Sequence, residues 1–237
     1  NGAPVMKSIN LAAIGMAAIA LSGAAAPGNS AGSRANWLAT VNLTPAGGHV
    51  MGNPDAKAKL TEYVSYTCSH CSHFEIESGT ALKIGYVQPG KVSVEIAHLV
   101  RDPVDLTAAL LTNCGTPAQF FANHTLFMRS QQTWMKVMDT ASDAQRSRWS
   151  NGPMAGRLQA IASDFRFYDM MSRRGYSRIA VNACLADQGK INRIMAMRQA
   201  AMDAGVQGTP SFAINGTLLA DAHSWSQLQS ALNDALN

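Results

Sequence analysis

The sequence places two cysteines one helical turn apart, in Cys68-Ser69-His70-Cys71. Thiol–disulfide exchange needs a thiolate nucleophile and a second thiol close enough to resolve the mixed disulfide that forms. A Cys-x-x-Cys at the start of a helix supplies both, because unpaired backbone N–H groups and the positive end of the helix dipole favour the anion at Cys68. Cys71, one turn further along, is then expected to be the more buried, resolving thiol.

His70 lies between the two cysteines, where its imidazole could donate a hydrogen bond or place positive charge beside the thiolate. Either effect would stabilise the reduced pair and make the disulfide a stronger oxidant. Two other interpretations remain open: a structural disulfide, and a zinc site in which Cys68, Cys71 and His73 share the metal with one distant ligand. Covalent haem attachment is disfavoured, because Ser72 rather than histidine follows Cys71.

The cysteine pair falls between two predicted strands. Residues 59–66 alternate β-branched and aromatic residues, and residues 91–99 alternate in the same way, so both are predicted strands. Helix-compatible residues follow Cys71 up to the Pro89-Gly90 stop, which gives a βαβ unit with the cysteines where its helix begins. A further edge strand is predicted over residues 35–43.

The stretch 102–204 differs, because it carries short helical patterns, Gly/Pro punctuation and no convincing strand. Helices are predicted at 105–113, from Thr116-Pro117 onward, and at 155–164, 177–185 and 190–204. Beyond them, residues 207–217 carry a turn, a strand and an Asn215-Gly216 hairpin signal. An amphipathic helix over 224–236 closes the pattern.

Composition limits the class of protein. Of 237 residues, 47% are hydrophobic, which predicts a packed core rather than a disordered chain. The net charge of +4 is spread along the chain, so nucleic-acid binding is not expected. The apolar runs are all shorter than the ~18 residues that a membrane-spanning helix needs, which argues against a transmembrane protein.

The N-terminus has the features of a targeting segment. Residues 1–5 are interpreted as a cloning scar before a start at Met6. Lys7, the apolar run 9–21 and the Ala-rich exit predict a signal peptide over 6–26, followed by a linker over 27–34. A buried Ala-rich helix is the alternative. A signal peptide implies export to an oxidising compartment, where an even number of cysteines suggests pairing.

The motif stretch from Glu62 to Cys71 (EYVSYTCSHC), the Phe74-Glu75 that follows and the later Val206-Gln207-Gly208-Thr209-Pro210 resemble the thioredoxin superfamily. The helical stretch between them is similar to that of the DsbA-like branch, the soluble periplasmic thiol–disulfide oxidoreductases of bacteria. The resemblance implies an α/β, thioredoxin-like fold with an inserted helical domain. It divides the chain into a first thioredoxin-like part (35–101), a helical insert (102–204) and a second thioredoxin-like part (205–237).

The resemblance also implies roles for individual residues. Cys68 becomes the nucleophile and Cys71 the resolving cysteine. Pro210 becomes a cis-proline, with Thr209 before it facing the cysteine pair and the substrate. Glu62 becomes a buried acid that relays the Cys71 proton, although as a lone strand residue it could equally be solvated.

Three departures from the family pattern concern redox poise and not the reaction class. Ser69 stands where the archetype has proline, and Thr209 is more typical of isomerase-like members. A lysine that the family often places near the buried acid has no obvious equivalent in 92–99, where Glu95 and His98 occur instead.

The remaining cysteines, Cys114 and Cys184, fall in the helical stretch. In an oxidising compartment a disulfide between them is expected, and closing a loop of about 70 residues is worth on the order of 4 kcal/mol. Two buried free thiols are the alternative. Most of the twelve methionines also lie in this stretch, where core filling is the first interpretation and a groove for client proteins the second.

These observations predict an oxidase that forms disulfides in exported proteins. No cofactor is expected, because the cysteine pair carries the electrons itself. Expected partners are reduced or unfolded exported proteins and a membrane or soluble redox protein that resets the pair. A monomer is expected, because about 32 residues (27–58) are too few for the N-terminal dimerisation domain of the family's isomerases. An isomerase or reductase, and a non-catalytic client- or zinc-binding module, are the alternatives.

Overall fold

A computed structural model describes residues 1–3 and 35–237 of the chain. The predicted signal peptide and linker, and the end of the predicted cloning scar, lie outside the described residues. Among the helices that are described, none has both the length and the apolar character needed to cross a membrane.

Six strands form one mixed sheet in the order β1-β2-β4-β3-β5-β6. The two central strands, β3 and β4, pair in parallel, and every other neighbouring pair is antiparallel. The strands are β1 (Val41–Leu43), β2 (His49–Met51), β3 (Ala58–Val64), β4 (Val92–His98), β5 (Ser211–Ile214) and β6 (Thr217–Leu219).

The parallel pair is joined by the helix that carries the cysteines. Helix α1 (Ser69–Leu82) follows β3 and continues into a π-helical turn at Lys83–Val87 before β4 begins. A helical crossover of this kind is what two adjacent parallel strands require. The helix packs on the sheet through Phe74, whose ring centroid lies 4.8 Å from that of Phe212 on β5. The motif therefore sits at the carboxyl end of a central, buried strand.

The described elements between β4 and β5 are all helical. They are α2 (Pro103–Thr112), α3 (Phe120–Arg129), α4 (Gln131–Trp134), α5 (Lys136–Thr140), α6 (Asp143–Ser150), α7 (Met154–Asp164), α8 (Phe167–Arg173), α9 (Arg178–Leu185) and α10 (Gln188–Asp203), with a 3-10 turn at Pro117–Gln119; α11 (Trp225–Leu236) closes the chain. One apolar core extends from Leu60 and Val94 on the sheet to Leu111 and Leu158 on these helices. The fold is thioredoxin-like, and its division into three stretches at residues 102 and 205 stays a prediction.

Two sequence predictions were wrong in detail. The edge strand expected over 35–43 is a 3-10 turn at Trp37–Ala39 followed by the short strand β1. The turn places the Trp37 ring against Gly90, where a Cβ would come within 2.7 Å of the indole nitrogen. The helix expected from Pro117 begins as a 3-10 turn capped by Thr116, and its α-helical part starts only at Phe120.

Candidate active site

Cys68 occupies the N-cap position of α1, with an extended backbone (φ −90°, ψ 116°). The first N–H groups of a helix have no partner within the helix, and here those of His70 and Cys71 interact with the Cys68 sulfur. Both Cys68 and Cys71 are free thiols in this structure, so it represents the reduced pair. Cys68 is 5% exposed and Cys71 is fully buried.

The surroundings of Cys68 favour its thiolate strongly. A hydrogen bond from the Cys71 thiol lowers the pKa of Cys68 from 9.0 to about 4, with further contributions from the Thr209 side chain and the backbone N–H groups of Cys71 and His70. Partial burial opposes this shift, but hydrogen bonds to the charged form outweigh it. Cys68 is therefore ionised at neutral pH.

Cys71 has the opposite character. Burial raises its pKa well above 9.0, and the hydrogen bond to Cys68 and the negative charge on Cys68 raise it further. One thiol of the pair is thus a thiolate at neutral pH while the other keeps its proton. This difference is what a nucleophile and a resolving thiol require.

His70 contributes through its backbone and not through its ring. The side chain is exposed, and among the described contacts no hydrogen bond joins the imidazole to the Cys68 sulfur. The expected imidazole–thiolate contact is therefore corrected to a contact from the His70 backbone N–H. The ring instead lines a depression of about 610 Å³, together with Thr209, Pro210 and His223.

The loop before β5 lies directly against the nucleophile. The Thr209–Pro210 peptide bond is cis, and the Cys68 sulfur lies 3.1 Å from the Thr209 carbonyl oxygen, to which it donates when it is a protonated thiol. The Thr209 hydroxyl is buried and has no hydrogen-bond partner of normal geometry among the described atoms. This hydroxyl is therefore free to donate toward the Cys68 sulfur, and it lowers the pKa of Cys68 in this way.

A buried carboxylate holds the chain segment that precedes Cys68. Asp105, in the first turn of α2, accepts hydrogen bonds from the Ser65 hydroxyl (2.6 Å), the Tyr66 N–H (2.7 Å) and the Arg101 N–H (3.0 Å). Burial raises the pKa of Asp105 from 3.8 to about 7, although these hydrogen bonds oppose the rise. This residue was not predicted from the sequence, because an acidic residue near a helix start is common and does not by itself indicate a buried site.

A buried amide holds the same segment from the other side. The Gln131 side chain, on α4, donates to the Tyr66 carbonyl at 2.7 Å and to the Cys68 carbonyl at 2.8 Å. Sequence reasoning missed Gln131 as well, and nothing in its local sequence marks it. Asp105 and Gln131 together fix the backbone on which the reactive sulfur is carried.

Glu62 is buried on β3, so the solvated alternative is wrong. Burial raises its pKa from 4.5 to about 8, the charge of Glu75 raises it further, and Lys83 partly offsets both. Its side chain lies on the face of β3 that packs on α1, and no described hydrogen bond joins it to Cys71. The relay of the Cys71 proton by Glu62 stays a prediction.

A charged cluster lies behind the cysteine pair, on the α1 face that carries Cys71. The Glu75 carboxylate is 3.5 Å from the Lys83 amine and 3.5 Å from Arg129 Nε, and it accepts a hydrogen bond from the Thr125 hydroxyl at 3.0 Å. Glu62, Glu75, Lys83 and other side chains line a cavity of about 20 Å³, which is enough for one water molecule. A lysine is thus present near the buried acid, as Lys83 in the turn after α1 and not on β4.

The other cysteines form a disulfide. Cys114, just beyond α2, is bonded to Cys184 on α9, with the two Cα atoms 5.8 Å apart. Over residues 35–237, no three His, Cys, Asp or Glu side chains are grouped so that they could hold a metal ion. The zinc-site interpretation of Cys68, Cys71 and His73 therefore gains no further ligand from this part of the chain.

Comparison with known proteins gives consistent matches. A family model described as Thioredoxin matches residues 44–234. The crystal structure of a protein-disulfide isomerase from Novosphingobium aromaticivorans is 51% identical and has a TM-score of 0.77, covering 80% of this chain and 97% of that one. The crystal structure of alpha-DsbA1 from Wolbachia pipientis is 20% identical with a TM-score of 0.63, covering 82% and 93%.

A curated relative is a putative protein-disulfide oxidoreductase from Rickettsia bellii. It is 23% identical over 189 residues, which are 79% of this chain and 64% of the relative. The chain spans less than two thirds of the length of the curated relatives it matches. With the family model covering most of its length, the chain belongs to the thioredoxin family, and its structural neighbours are DsbA-type thiol–disulfide oxidoreductases.

Proposed function

We propose that this protein is a periplasmic oxidase that introduces disulfides into exported proteins through Cys68 and Cys71. The observation that carries the proposal is the unequal protonation of the two thiols, with the pKa of Cys68 near 4 and that of Cys71 well above 9.0. A stabilised Cys68 thiolate favours the reduced pair, and a pair that is more stable when reduced is a stronger oxidant when it is a disulfide.

The proposed reaction starts from the Cys68–Cys71 disulfide. A client thiolate attacks the Cys68 sulfur, the bond between the two cysteines breaks, and Cys71 leaves as a thiolate that takes up a proton. The client's second thiolate then attacks the client sulfur of the mixed disulfide, and Cys68 leaves as a thiolate. Two electrons pass from the client to the cysteine pair, and the low pKa of Cys68 makes it a good leaving group in this last step.

The buried acids suit the proton that Cys71 must gain. With a pKa of about 8, Glu62 is mostly protonated at neutral pH, and this pKa is close enough to neutral pH for the carboxyl group to act as a proton donor. Glu75 stands four residues after Cys71 on the same helix, so the two side chains share a face of α1. We propose that Glu62 supplies the proton to Cys71 through the cavity that Glu62 and Glu75 line.

The client is proposed to bind as an extended segment beside the Thr209–Pro210 loop. The Thr209 carbonyl, 3.1 Å from the Cys68 sulfur, is placed to accept a backbone hydrogen bond from such a segment. The depression that His70 and Pro210 line would accommodate its side chains. A separate redox protein is proposed to reoxidise the pair, and the protein is proposed to act as a monomer without a cofactor.

An isomerase of the same reaction class is the second candidate. It is favoured by the 51% identity to a structure described as a protein-disulfide isomerase, and by Thr209 and Ser69 at positions where the family's oxidases differ. Both candidates use the same cysteine pair, so reduction potential separates them better than geometry does.

The first experiment replaces the nucleophile. Cys68→Ser is expected to abolish both insulin reduction and oxidation of a reduced client, while Ser69→Ala, one exposed residue further on, is expected to retain them. Full activity in Cys68→Ser would overturn the enzyme proposal and favour a binding module.

The second experiment measures the reduction potential against glutathione. An oxidase is expected near about −120 mV, an isomerase near about −180 mV and a reductase near about −270 mV. A value at the reductase end contradicts the proposal. Efficient unscrambling of scrambled ribonuclease by a dimer, seen by light scattering, would favour the isomerase.

A further inference from the structure

A second depression begins on another face of the Thr209 loop, away from His70 and His223. It consists of two adjoining hollows of about 640 and 320 Å³, which share Val100, Arg101 and Arg198. The first hollow reaches Thr209 and the second reaches α7. We call this surface the arginine trough and define it by six side chains: Arg101, Arg157, Arg198, Met154, Met195 and Met202.

The arginines of the trough form no direct ion pair. In the described part of the chain, none of the three has a carboxylate within ion-pair distance. Each guanidinium group donates only to neutral oxygens: that of Arg101 to the Ser65 and Thr67 hydroxyls (2.9 and 3.2 Å), that of Arg198 to the Val100 carbonyl (2.9 Å) and that of Arg157 to the Trp149 carbonyl (2.8 Å).

These bonds fix the guanidinium groups without using all their donors. Arg157 and Arg198 each donate through Nε alone, so their terminal nitrogens have no partner within the described chain. Asp102 also lines the trough, but its oxygens already accept from the Thr67 hydroxyl (2.7 Å) and the Asp105 N–H (2.9 Å). With three arginines and one carboxylate, the trough has a net positive charge. Its free guanidinium nitrogens can bind carboxylates in bidentate geometry.

The methionines give the trough an apolar rim. Met154, Met195 and Met202 are 41%, 41% and 46% exposed, which places them among the most exposed large apolar side chains of the described residues. Unbranched thioethers adapt to many partner shapes. The rim therefore suits apolar side chains of varied form, and the arginines select against positive charge.

We propose that the arginine trough binds a client segment rich in Asp, Glu and apolar side chains, next to the client cysteine that reacts with Cys68. The proposal rests on the proposed function and names its preferred substrate class. Continuity with the reaction centre is the reason to choose a client: the trough starts at Thr209, whose carbonyl contacts the Cys68 sulfur. A segment whose cysteine sits at Cys68 can extend directly into the trough.

The test compares three dithiol peptides of equal length, whose cysteines are flanked on one side by Glu and Leu, by Lys and Leu, or by Ser and Leu. Their rates of oxidation by the oxidised protein are measured at low and at high salt. The Glu peptide is expected to react about tenfold faster than the Lys peptide at low salt, and the advantage should shrink at high salt.

Substitutions then locate the preference. Arg157→Glu combined with Arg198→Glu is expected to remove or reverse the Glu-over-Lys ratio, while the rate of the Ser peptide, which carries no charge for the arginines to bind, should change by less than that ratio does. Arg157→Gln with Arg198→Gln provides a milder pair should the glutamates destabilise the helices. A matched control, Arg173→Glu with Arg146→Glu, changes net charge equally at exposed positions outside the trough and should preserve the ratio.

Equal rates for the Glu and Lys peptides in the unmodified protein would overturn the proposal. So would a preference that survives substitution of the trough arginines, or one that the control pair abolishes, because that preference would come from net charge. Failure to oxidise any of the three peptides would instead refute the proposed oxidase, and the Ser peptide distinguishes that result from a failure of the trough alone.

Discussion

The molecule contains two cysteine pairs whose surroundings differ in almost every respect. Cys68 and Cys71 are three positions apart at the start of one helix and are free thiols, whereas Cys114 and Cys184 are separated by 70 positions and are bonded. Around the first pair, the hydrogen bond between the two thiols, the burial of Cys71, the helix N–H groups and Thr209 give the two thiols unequal pKa values. Around the second, neighbouring contacts involve neutral groups, such as the Tyr176 hydroxyl, which donates to the Cys114 carbonyl at 2.9 Å.

Cysteine reactivity in this protein therefore comes from the environment that the fold builds and not from the cysteine itself. A bond that links distant positions restricts the unfolded chain, so its value is in stability. A bond within one helical turn restricts very little, so its free energy can be set by which thiolate the protein stabilises.

Removing the distant pair should cost stability and leave chemistry intact. Cys114→Ala with Cys184→Ala is expected to lower the free energy of unfolding by on the order of 4 kcal/mol, because a loop of about 70 residues is no longer closed in the unfolded chain. Denaturant titration measures the loss, and the rate of thiol exchange at Cys68 should stay the same well below the melting temperature. A matching fall in exchange rate would show that the two pairs are coupled.

Glu62 should make stability depend on pH in a known direction. Because its pKa rises from 4.5 in the unfolded chain to about 8 in the folded one, its contribution is fully present below pH 4.5 and is lost as pH rises through about 8. The free energy of unfolding of Glu62→Gln, measured relative to that of the unmodified protein, should therefore be a few kcal/mol higher at pH 9 than at pH 4. A pKa difference of one between the folded and unfolded chain corresponds to about 1.4 kcal/mol.

Other groups that titrate in this range contribute equally to the stability of Glu62→Gln and of the unmodified protein, so their contributions cancel in the difference. Glu77→Gln, an exposed change on the same helix surface as His73, is the control and should leave the difference flat. A flat difference for Glu62→Gln itself would mean that the carboxyl is solvated in the folded protein.

Gln131 should affect both stability and ionisation at the reactive pair. Gln131→Leu leaves the buried Tyr66 and Cys68 carbonyls without their donor, which is expected to cost about 1–3 kcal/mol of unfolding free energy. The loosened loop should also raise the pKa of Cys68, seen in the ultraviolet absorbance of the thiolate. Gln132→Leu, at the exposed neighbouring position, should do neither. An unchanged titration in Gln131→Leu would limit this residue to a structural role.

A further substitution isolates one hydrogen bond at the reactive pair. Cys71→Ala removes the thiol that donates to Cys68 and is the largest cause of its low pKa. A hydrogen bond to a charged group is worth about 1.5–3 kcal/mol, so the thiolate titration should move upward by about one to two pH units. A midpoint that stays near 4 would assign the stabilisation to the helix N–H groups and Thr209 alone.

The sequence was enough to locate the reactive pair and the sheet around it. The alternation on β3 and β4 and the Cys-x-x-Cys between them predict a strand, a helix start and a strand, and the structure has these elements within one or two residues of the expected bounds. Such features are local, because strand alternation and helix starts depend on neighbours along the chain.

The residues that surround the reactive pair could not be predicted from local sequence patterns. Asp105 and Gln131 contact the segment around Cys68 across long sequence separations, and each sits in a local pattern that a surface residue would show equally well. Thr209 was expected only through the family resemblance, since its dipeptide with Pro210 is otherwise an ordinary turn signal. The Trp37–Ala39 turn was missed for a related reason, because its ring packs against Gly90, more than fifty residues away.

The position of these partners along the chain has a consequence for the timing of activation. Asp105, Gln131 and Thr209 all follow Cys68 in the sequence, so a ribosome synthesises the reactive cysteine before any residue that tunes it. Until α1 has formed and the region around Thr209 has folded against it, Cys68 lacks the hydrogen bonds that lower its pKa, and an unfolded cysteine has a pKa of about 8.5.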